Sequence, residues 1–354
     1  MPATNRLLGI DFAYVFSILG IIIYSYSFTI GGHVLSGLSH YSYYLFLDVF
    51  PAVFFFLNGL TVTLTMRDRR VSSRKLLSYM GKRGSVLFLI GLATCAIWPM
   101  NIFIPCGIMY VCAPYMAQWN TQILRVLIVI LLILSISLLY LDVPTYVEYN
   151  MLTLQGGGFI DLGGFIFFNG YFSILPWFIF FIAGLLHGRV DLRPRGWLPP
   201  SSLLGLVLIG LTYFAHVYSK KLDVDGETFQ KIGPFLVNTK TYLPAFVCFA
   251  IGSCIVGINF FIFIFRKFQS RKILRIVQTL AAMKYSIIFF HILIGIITLS
   301  ASNEQFFSKR IVIIVYVIFA TWAATWLTLM WRKKVNELGP MEWLIKRISG
   351  SSKR

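Results

Sequence analysis

The chain has 354 residues, of which 58% are hydrophobic and only 12% are charged, and its formal net charge is +18. The mean hydropathy of +0.78 excludes an ordinary water-soluble globular protein, because the apolar residues come in long blocks separated by short polar loops. Nucleic-acid binding is not expected either, since the positive charge forms neither a basic soluble domain nor an aromatic–basic module.

Ten blocks are apolar and long enough to cross a bilayer, which requires about 20 mostly apolar residues. We predict an all-α, polytopic helical membrane protein, with one membrane domain over residues 1–354 that ends in a basic cytoplasmic tail, 332–354. Pro99, Asn101 and Pro105 divide the third span from the fourth, which predicts either a tight hairpin or broken helices that fill a cavity. The predicted spans are residues 9–31, 42–66, 84–101, 102–118, 121–141, 171–188, 200–218, 241–265, 275–300 and 310–331.

The basic residues predict the orientation of the chain. With ten spans and a cytoplasmic N-terminus, 24 of the 31 lysines and arginines fall on the cytoplasmic side and six on the other side. Positively charged loops resist translocation, so both termini are predicted to be cytoplasmic. The first apolar block is too long for a cleavable signal peptide and is predicted to remain as the first span.

The five cysteines all lie in apolar segments and show no Cys-x-x-Cys or Cys/His spacing. Such spacing is typical of redox motifs and zinc sites. We interpret these thiols as packing groups and expect no metal site.

Ionisable groups at membrane depth are costly and therefore indicate function. Asp11 opens the first span and Asp48 lies in the second. Asp11 and Ser25 are 14 residues apart, which puts them on the same side of a helix and about 21 Å apart along it. Both can line a substrate path, although Asp11 can equally be an interfacial acid that the helix dipole favours.

Three further groups of polar residues have open interpretations. Lys284 and His291 share a face of the ninth span and can bind an anion or relay a proton; alternatively Lys284 snorkels to the interface and His291 bonds a neighbouring helix. His33 and His40 follow the first span on the outer side, where a histidine suits a general base or acyl carrier. They can equally be ordinary surface residues. His216 lies near the outer end of the seventh span, and no role is assigned to His187.

Several short motifs occur in chain order. The most specific are a Met-Lys-Tyr-Ser…His helix at 283–291 and a Gly-Pro-Met-Glu-Trp motif at 339–343. The others are Arg6-Leu-Leu-Gly-Ile-Asp11, Asp48-Val-Phe-Pro…Asn58-Gly59, Gly81-Lys82-Arg83-Gly84, Ile104-Pro-Cys-Gly107-Ile-Met-Tyr110, Pro176-Trp177 and Gly188-Arg189. Together they resemble the YeiB-type bacterial membrane proteins and the heparan-alpha-glucosaminide N-acetyltransferases, a transmembrane acyltransferase superfamily.

The resemblance implies transfer of an acetyl group from cytoplasmic acetyl-CoA to a sugar on the other side of the membrane. In the family an asparagine near the outer end of the first span and a following histidine serve the transfer. The asparagine position falls on Ser25 here, and the histidine position on Ser36, so His33 or His40 would match only with a shift in the loop. Tyr14 and Val15 stand where the family usually has arginine and glycine.

Two functions follow as expectations. The first is an acyl-CoA-dependent transmembrane O- or N-acyltransferase of the bacterial inner membrane. In it Asp11, Ser25, His33 and His40 would carry out the transfer, while Lys284 and His291 would line the opposite wall. Basic cytoplasmic segments, Arg83 among them, would meet the CoA phosphates. The second is a non-enzymatic transporter or permeation protein on the same scaffold. The bilayer and a carbohydrate acceptor are the expected partners, and the oligomeric state is open, a homodimer included.

Overall fold

The computed structural model consists of helices and the short turns between them in the residues that it describes. These are residues 8–29, 40–67, 73–95, 97–98, 100–140, 159–190, 192, 200–221, 244–267, 271–301 and 310–349. Within them lie thirteen α-helices and one π-helical turn. The helices group into two compact units, which are described separately.

The first unit contains the chain up to Phe54 and from Phe261 onward. Its helices are α1 (Leu8–Thr29), α2 (His40–Met66), α9 (Pro244–Lys267), α10 (Arg271–Ala282), α11 (Lys284–Ala301), α12 (Arg310–Lys334) and α13 (Pro340–Ser349). Two of them, α2 and α9, contribute residues to this unit and to the other one. The core of the unit is the long helix α1, against which α10, α11 and α12 pack. The short helix α13 packs against α11.

The second unit contains Phe55 to Phe260. Two of its helices, α2 and α7 (Ile174–His187), approach each other closely at glycines. A Cβ added at Gly59 or at Gly184 would collide with a backbone carbonyl of the other helix. Small residues allow this close approach, a common way of packing helices in membranes. The remaining helices of this unit are α3 (Ser73–Cys95), α4 (Phe103–Met116), α5 (Thr121–Tyr140), α6 (Phe159–Gly164) with the π-turn Phe165–Asn169, and α8 (Pro200–Lys221).

Five helices in the described part of the chain are long and apolar enough to cross a membrane, or six if the bent pair α10–α11 is one span. Four shorter apolar stretches lie in α4, α5, α7 and α8. Large apolar side chains such as Leu203, Phe214 and Ile318 are more than half exposed. A surface of this kind suits lipid rather than water. The fold is therefore that of a helical membrane protein.

The limits predicted for the third span are wrong. α3 begins at Ser73, so Lys82 and Arg83 lie inside a helix rather than in a cytoplasmic turn, and it ends at Cys95 rather than at residue 101. The turn that follows is held by Asn101, whose Nδ2 donates to the Gly91 carbonyl at 3.1 Å and whose Oδ1 accepts from the Phe103 backbone N–H at 2.8 Å. Of the two interpretations of this region, the structure shows the helical hairpin, α3 against α4.

The ninth predicted span, 275–300, is not one straight helix. The chain bends by 67° at Met283, between α10 and α11. α10 spans only 12 residues and carries Lys272 and Arg275, so it is too short and too polar to cross the bilayer by itself.

Candidate functional site

The inward face of α1 carries the polar residues predicted at both of its ends. Asp11 is 6% exposed and Ser25 is 1% exposed, so both face the interior of the first unit as their spacing predicted. Tyr14, one turn after Asp11, is also buried. Phe16, Leu19 and Ile23 form the exposed side of the same helix. α1 is thus apolar on its exposed side, and its few polar side chains lie on the buried side among apolar ones.

Lys284 is buried among aromatic rings at the start of α11. Its side chain is 8% exposed, and its Nζ lies 3.5 Å from the centroid of the Tyr14 ring. The rings of Phe54 and Tyr285 lie 5.6 Å and 5.3 Å from the same atom. Aromatic faces carry partial negative charge and attract a cation, more strongly where water is excluded. The Lys284 side chain is therefore buried inside the unit.

Glu342 caps the N-terminus of α11, the helix that begins with Lys284. Its Oε1 accepts hydrogen bonds from the backbone N–H groups of Tyr285 at 2.8 Å and Ser286 at 3.3 Å, and its Oε2 accepts from the Ser286 hydroxyl. The first N–H groups of a helix have no partner within the helix, and a carboxylate there also meets the positive end of the helix dipole. Burial nevertheless raises the pKa of Glu342 above its ordinary value, against the opposing effect of these hydrogen bonds.

A second group of polar side chains lies at the other end of α1. The Tyr26 hydroxyl donates to the His291 backbone carbonyl at 2.7 Å, and the two rings meet edge to face at 5.7 Å. The Tyr316 ring lies 5.1 Å from the Tyr26 ring, and the Tyr316 hydroxyl donates to the Ile294 carbonyl at 3.5 Å. His291 is fully buried. Three helices, α1, α11 and α12, thus meet at hydroxyl and imidazole groups.

Asp48 joins α2 to the same end of α1. The residue is 4% exposed, and the Tyr24 hydroxyl is a hydrogen-bond partner of its carboxylate. Buried carboxylates need such donors, because removing a charge from water is otherwise very costly. Tyr24 was not predicted from the sequence, and tyrosines directly before and after Ser25 were the available signal.

Arg83 lies in the second unit, where it forms part of a different cluster. Its guanidinium lies 4.6 Å from the centroid of the Tyr110 ring. The Tyr110 hydroxyl donates to Asn58 Oδ1 at 3.0 Å, and Asn58 Nδ2 donates to Cys106 Sγ at 3.8 Å. All three elements were noted as family-like motifs, and the structure brings Arg83, Tyr110 and Asn58 together within this unit.

The second unit also contains a polar cluster that sequence reasoning missed. Asn259 Nδ2 donates to the hydroxyls of Ser201 and Ser202, both at 3.0 Å. Its amide is also a hydrogen-bond partner of His187, which is 5% exposed. The cluster ties together α7, α8 and α9. The only available signal was an asparagine and a histidine in otherwise apolar segments.

Two predicted residues have no described side chain. His33 lies outside the described residues, and His40 is the first residue of α2, with its side chain undescribed. The side chain of His216 in α8 is likewise undescribed. Within the described residues, no group of three His, Cys, Asp or Glu side chains is arranged to hold a metal ion.

Comparison of the chain with protein-family models, with curated proteins and with solved structures finds no match. The first unit contains a buried ammonium group and buried carboxyl groups, together with buried hydroxyl and imidazole groups where α1, α11 and α12 meet. A buried ammonium can bind an anion, and hydroxyl and imidazole groups can accept or donate protons.

Proposed function

We propose that the protein is a membrane-bound acyltransferase that moves an acetyl or longer acyl group from cytoplasmic acyl-CoA to a sugar or glycopolymer outside. The observation that carries this proposal is the pair of buried polar groups at the two ends of α1 in the first unit. Asp11 and Lys284 are buried near one end, and Ser25, Tyr26 and His291 are buried near the other. Polar groups inside a membrane bundle are costly and usually mark a pathway or an active site.

Lys284 supports the donor end of this reaction. The acyltransferases that the sequence resembles usually carry an arginine at the position of Tyr14. The Lys284 ammonium, 3.5 Å from the Tyr14 ring, supplies a positive charge at the same place. A buried ammonium interacts strongly with a phosphate or with the oxyanion that forms when a thioester is attacked. The aromatic rings around it would hold the ammonium in one position.

The acceptor end rests on residues next to the outer end of α1. In this proposal His33 or His40 acts as general base or acyl carrier, and Ser25 contributes a hydroxyl where the family has an asparagine. Asp11 lines the path at the cytoplasmic end, and His291 lines the opposite wall. Arg83, in the second unit, is proposed to meet the phosphates of CoA. The donor, acetyl-CoA, is a substrate and not a resident cofactor.

The proposed topology has about ten spans, both termini in the cytoplasm, and a location in the bacterial inner membrane. The support is the uneven distribution of lysine and arginine, most of which fall on one side of the predicted spans even when Lys82 and Arg83 are assigned to α3. A fusion of alkaline phosphatase after Lys221 is expected to be active, and the same fusion after Arg332 inactive. The reverse pattern would contradict the topology.

The function is tested by incubating membranes that contain the full chain with acetyl-labelled CoA and measuring label in the outer glycopolymer fraction. Labelling is expected to require the protein and to be lost in the His33→Ala/His40→Ala double variant. His216→Ala is the matched control, since no role is assigned to that histidine. Unchanged labelling in the double variant would remove both histidines from the mechanism, and no protein-dependent labelling of any acceptor would contradict the function.

A transporter or permeation protein is the second candidate. It is favoured by Tyr14 and Ser25, which stand where the family has arginine and asparagine, so the guanidinium and amide groups of the family's transfer path are missing. The buried polar groups that remain can also line a permeation path. The Tyr14→Arg/Ser25→Asn double variant discriminates between the two. Acyl-CoA turnover in the variant alone would mean that the natural chain is not an enzyme.

A further inference from the structure

The short helix α10 is basic and has no assigned role in the proposed acyl transfer. It covers Arg271–Ala282, follows α9 in the chain, and precedes α11 with a bend of 67°. Its sequence contains three basic residues and no acidic residue. It packs against α1, and its residues Val277 and Ala281 are buried. α10 is therefore a short basic helix fixed to the first unit.

One flank of α10 is apolar and exposed. Ile273 is 43% exposed and Ile276 is 50% exposed. At 100° per residue these two side chains point about 60° apart, next to the buried side of the helix. Large apolar side chains on the outside of a helix that would otherwise face water are costly. Contact with the acyl chains of a bilayer removes this cost.

The adjacent flank is cationic. Lys272 and Arg275 are both exposed. Arg332, at the end of α12, joins them because its Nη1 donates to the Thr279 hydroxyl of α10 at 2.6 Å. Positions 272, 275 and 279 lie within about 60° of one another around the helix. Three positive groups are thus gathered on one edge of α10.

We propose that α10 lies at the cytoplasmic membrane surface and binds the headgroups of anionic phospholipids. Its isoleucines would enter the acyl region while Lys272, Arg275 and Arg332 contact the phosphates. An amphipathic helix with this division of charged and apolar sides is typical of the membrane interface. The exposed isoleucines favour a lipid over a soluble phosphate, since a soluble anion would leave them in water. Binding of lipid by α10 is compatible both with an acyltransferase and with a transporter.

The test uses the full chain purified in a zwitterionic detergent and measures its thermal unfolding temperature during titration with phosphatidylglycerol, phosphatidylcholine or inorganic phosphate. Phosphatidylglycerol is expected to raise the unfolding temperature in a saturable way, and the other two are not. Each cation near an anionic surface contributes about a fivefold factor in affinity. Lys272→Gln/Arg275→Gln should therefore raise the half-saturating lipid concentration about 25-fold.

Lys333→Gln/Lys334→Gln is the matched control, because it removes the same charge from exposed residues at the end of α12. Ile273→Ser/Ile276→Ser tests the apolar flank and should weaken the lipid effect without lowering the unfolding temperature in detergent alone. An equal loss in the Lys333/Lys334 variant would show general charge attraction and overturn the proposal. A rise with inorganic phosphate equal to that with phosphatidylglycerol would overturn it as well.

Discussion

The contact between Lys284 and Tyr14 predicts a coupling free energy that can be measured. A cation over an aromatic face stabilises a protein by about 0.5–1 kcal/mol at an exposed site and by about 2 kcal/mol where both groups are desolvated. Lys284 is 8% exposed, and its Nζ lies 3.5 Å from the ring centroid, so the larger value applies. We expect the double-mutant cycle of Tyr14→Leu and Lys284→Met to give a coupling of about 2 kcal/mol.

The cycle is needed because the single variants mix several effects. Lys284→Met removes a buried charge, which can be stabilising by itself, and Tyr14→Leu also changes packing. Unfolding in mixed detergent micelles measures the free energy of each variant. Tyr14→Phe keeps the ring and should retain the coupling. Arg347 and Trp343 are the matched control pair. The Arg347 guanidinium lies 5.1 Å from the centroid of the Trp343 ring, and because Arg347 is exposed, the expected coupling is only about 0.5–1 kcal/mol. Additivity within about 0.5 kcal/mol at Lys284 and Tyr14 would refute the reasoning.

Three further predictions concern other contacts, each measured by unfolding in the same micelles. Because burial raises the pKa of Glu342, the folded state holds this proton more tightly than the unfolded state, so the stabilising contribution of the group is complete at low pH and is lost as the pH rises through the raised pKa. Glu342→Gln should remove that part of the pH dependence of the unfolding free energy, whereas Glu337→Gln, at an exposed position, should not. An unchanged pH dependence in Glu342→Gln would contradict the assignment. Gly184→Ala places a Cβ against the Phe56 carbonyl and should cost about 1–3 kcal/mol, whereas Gly81→Ala, which meets open space, should be neutral or stabilising by up to about 1 kcal/mol; equal effects would mean that α2 and α7 do not approach closely. Tyr110→Phe loses the hydrogen bond to Asn58 and should cost about 1–2 kcal/mol, an effect that should disappear in an Asn58→Leu background.

The long apolar helices could be predicted from the sequence, because length and hydropathy are sufficient for α1, α2, α9 and α12. The bend at Met283 could not. The apolar residues of α10 recur at helical spacing and continue into α11, so a hydropathy window joins the two helices. The start of α3 was missed because its lysines and arginines suggested a loop, although they are good helix formers and lie in the first half of the helix.

Helical spacing could predict that Asp11 and Ser25 share one face and that Lys284 and His291 share another. It could not predict that all four are buried, because an interfacial Asp11 and a snorkelling Lys284 fitted the sequence equally well. Their partners could not be predicted either. Tyr14 and Lys284 are 270 positions apart in the chain, and only the packing of α1 against α11 brings them together. Glu342 was noted as part of a motif, but its position at the N-terminus of α11 depends on how α13 folds back.

Calorimetric titration of the purified, detergent-solubilised protein with acetyl-CoA, followed by free CoA, tests whether the protein is an acyl-CoA-dependent transferase. We expect saturable binding in the micromolar range that is weakened by Lys284→Met, because that variant removes the buried cation proposed to meet the donor. No binding of either compound to a protein that still unfolds cooperatively would contradict an acyl-CoA-dependent function and would favour the transporter.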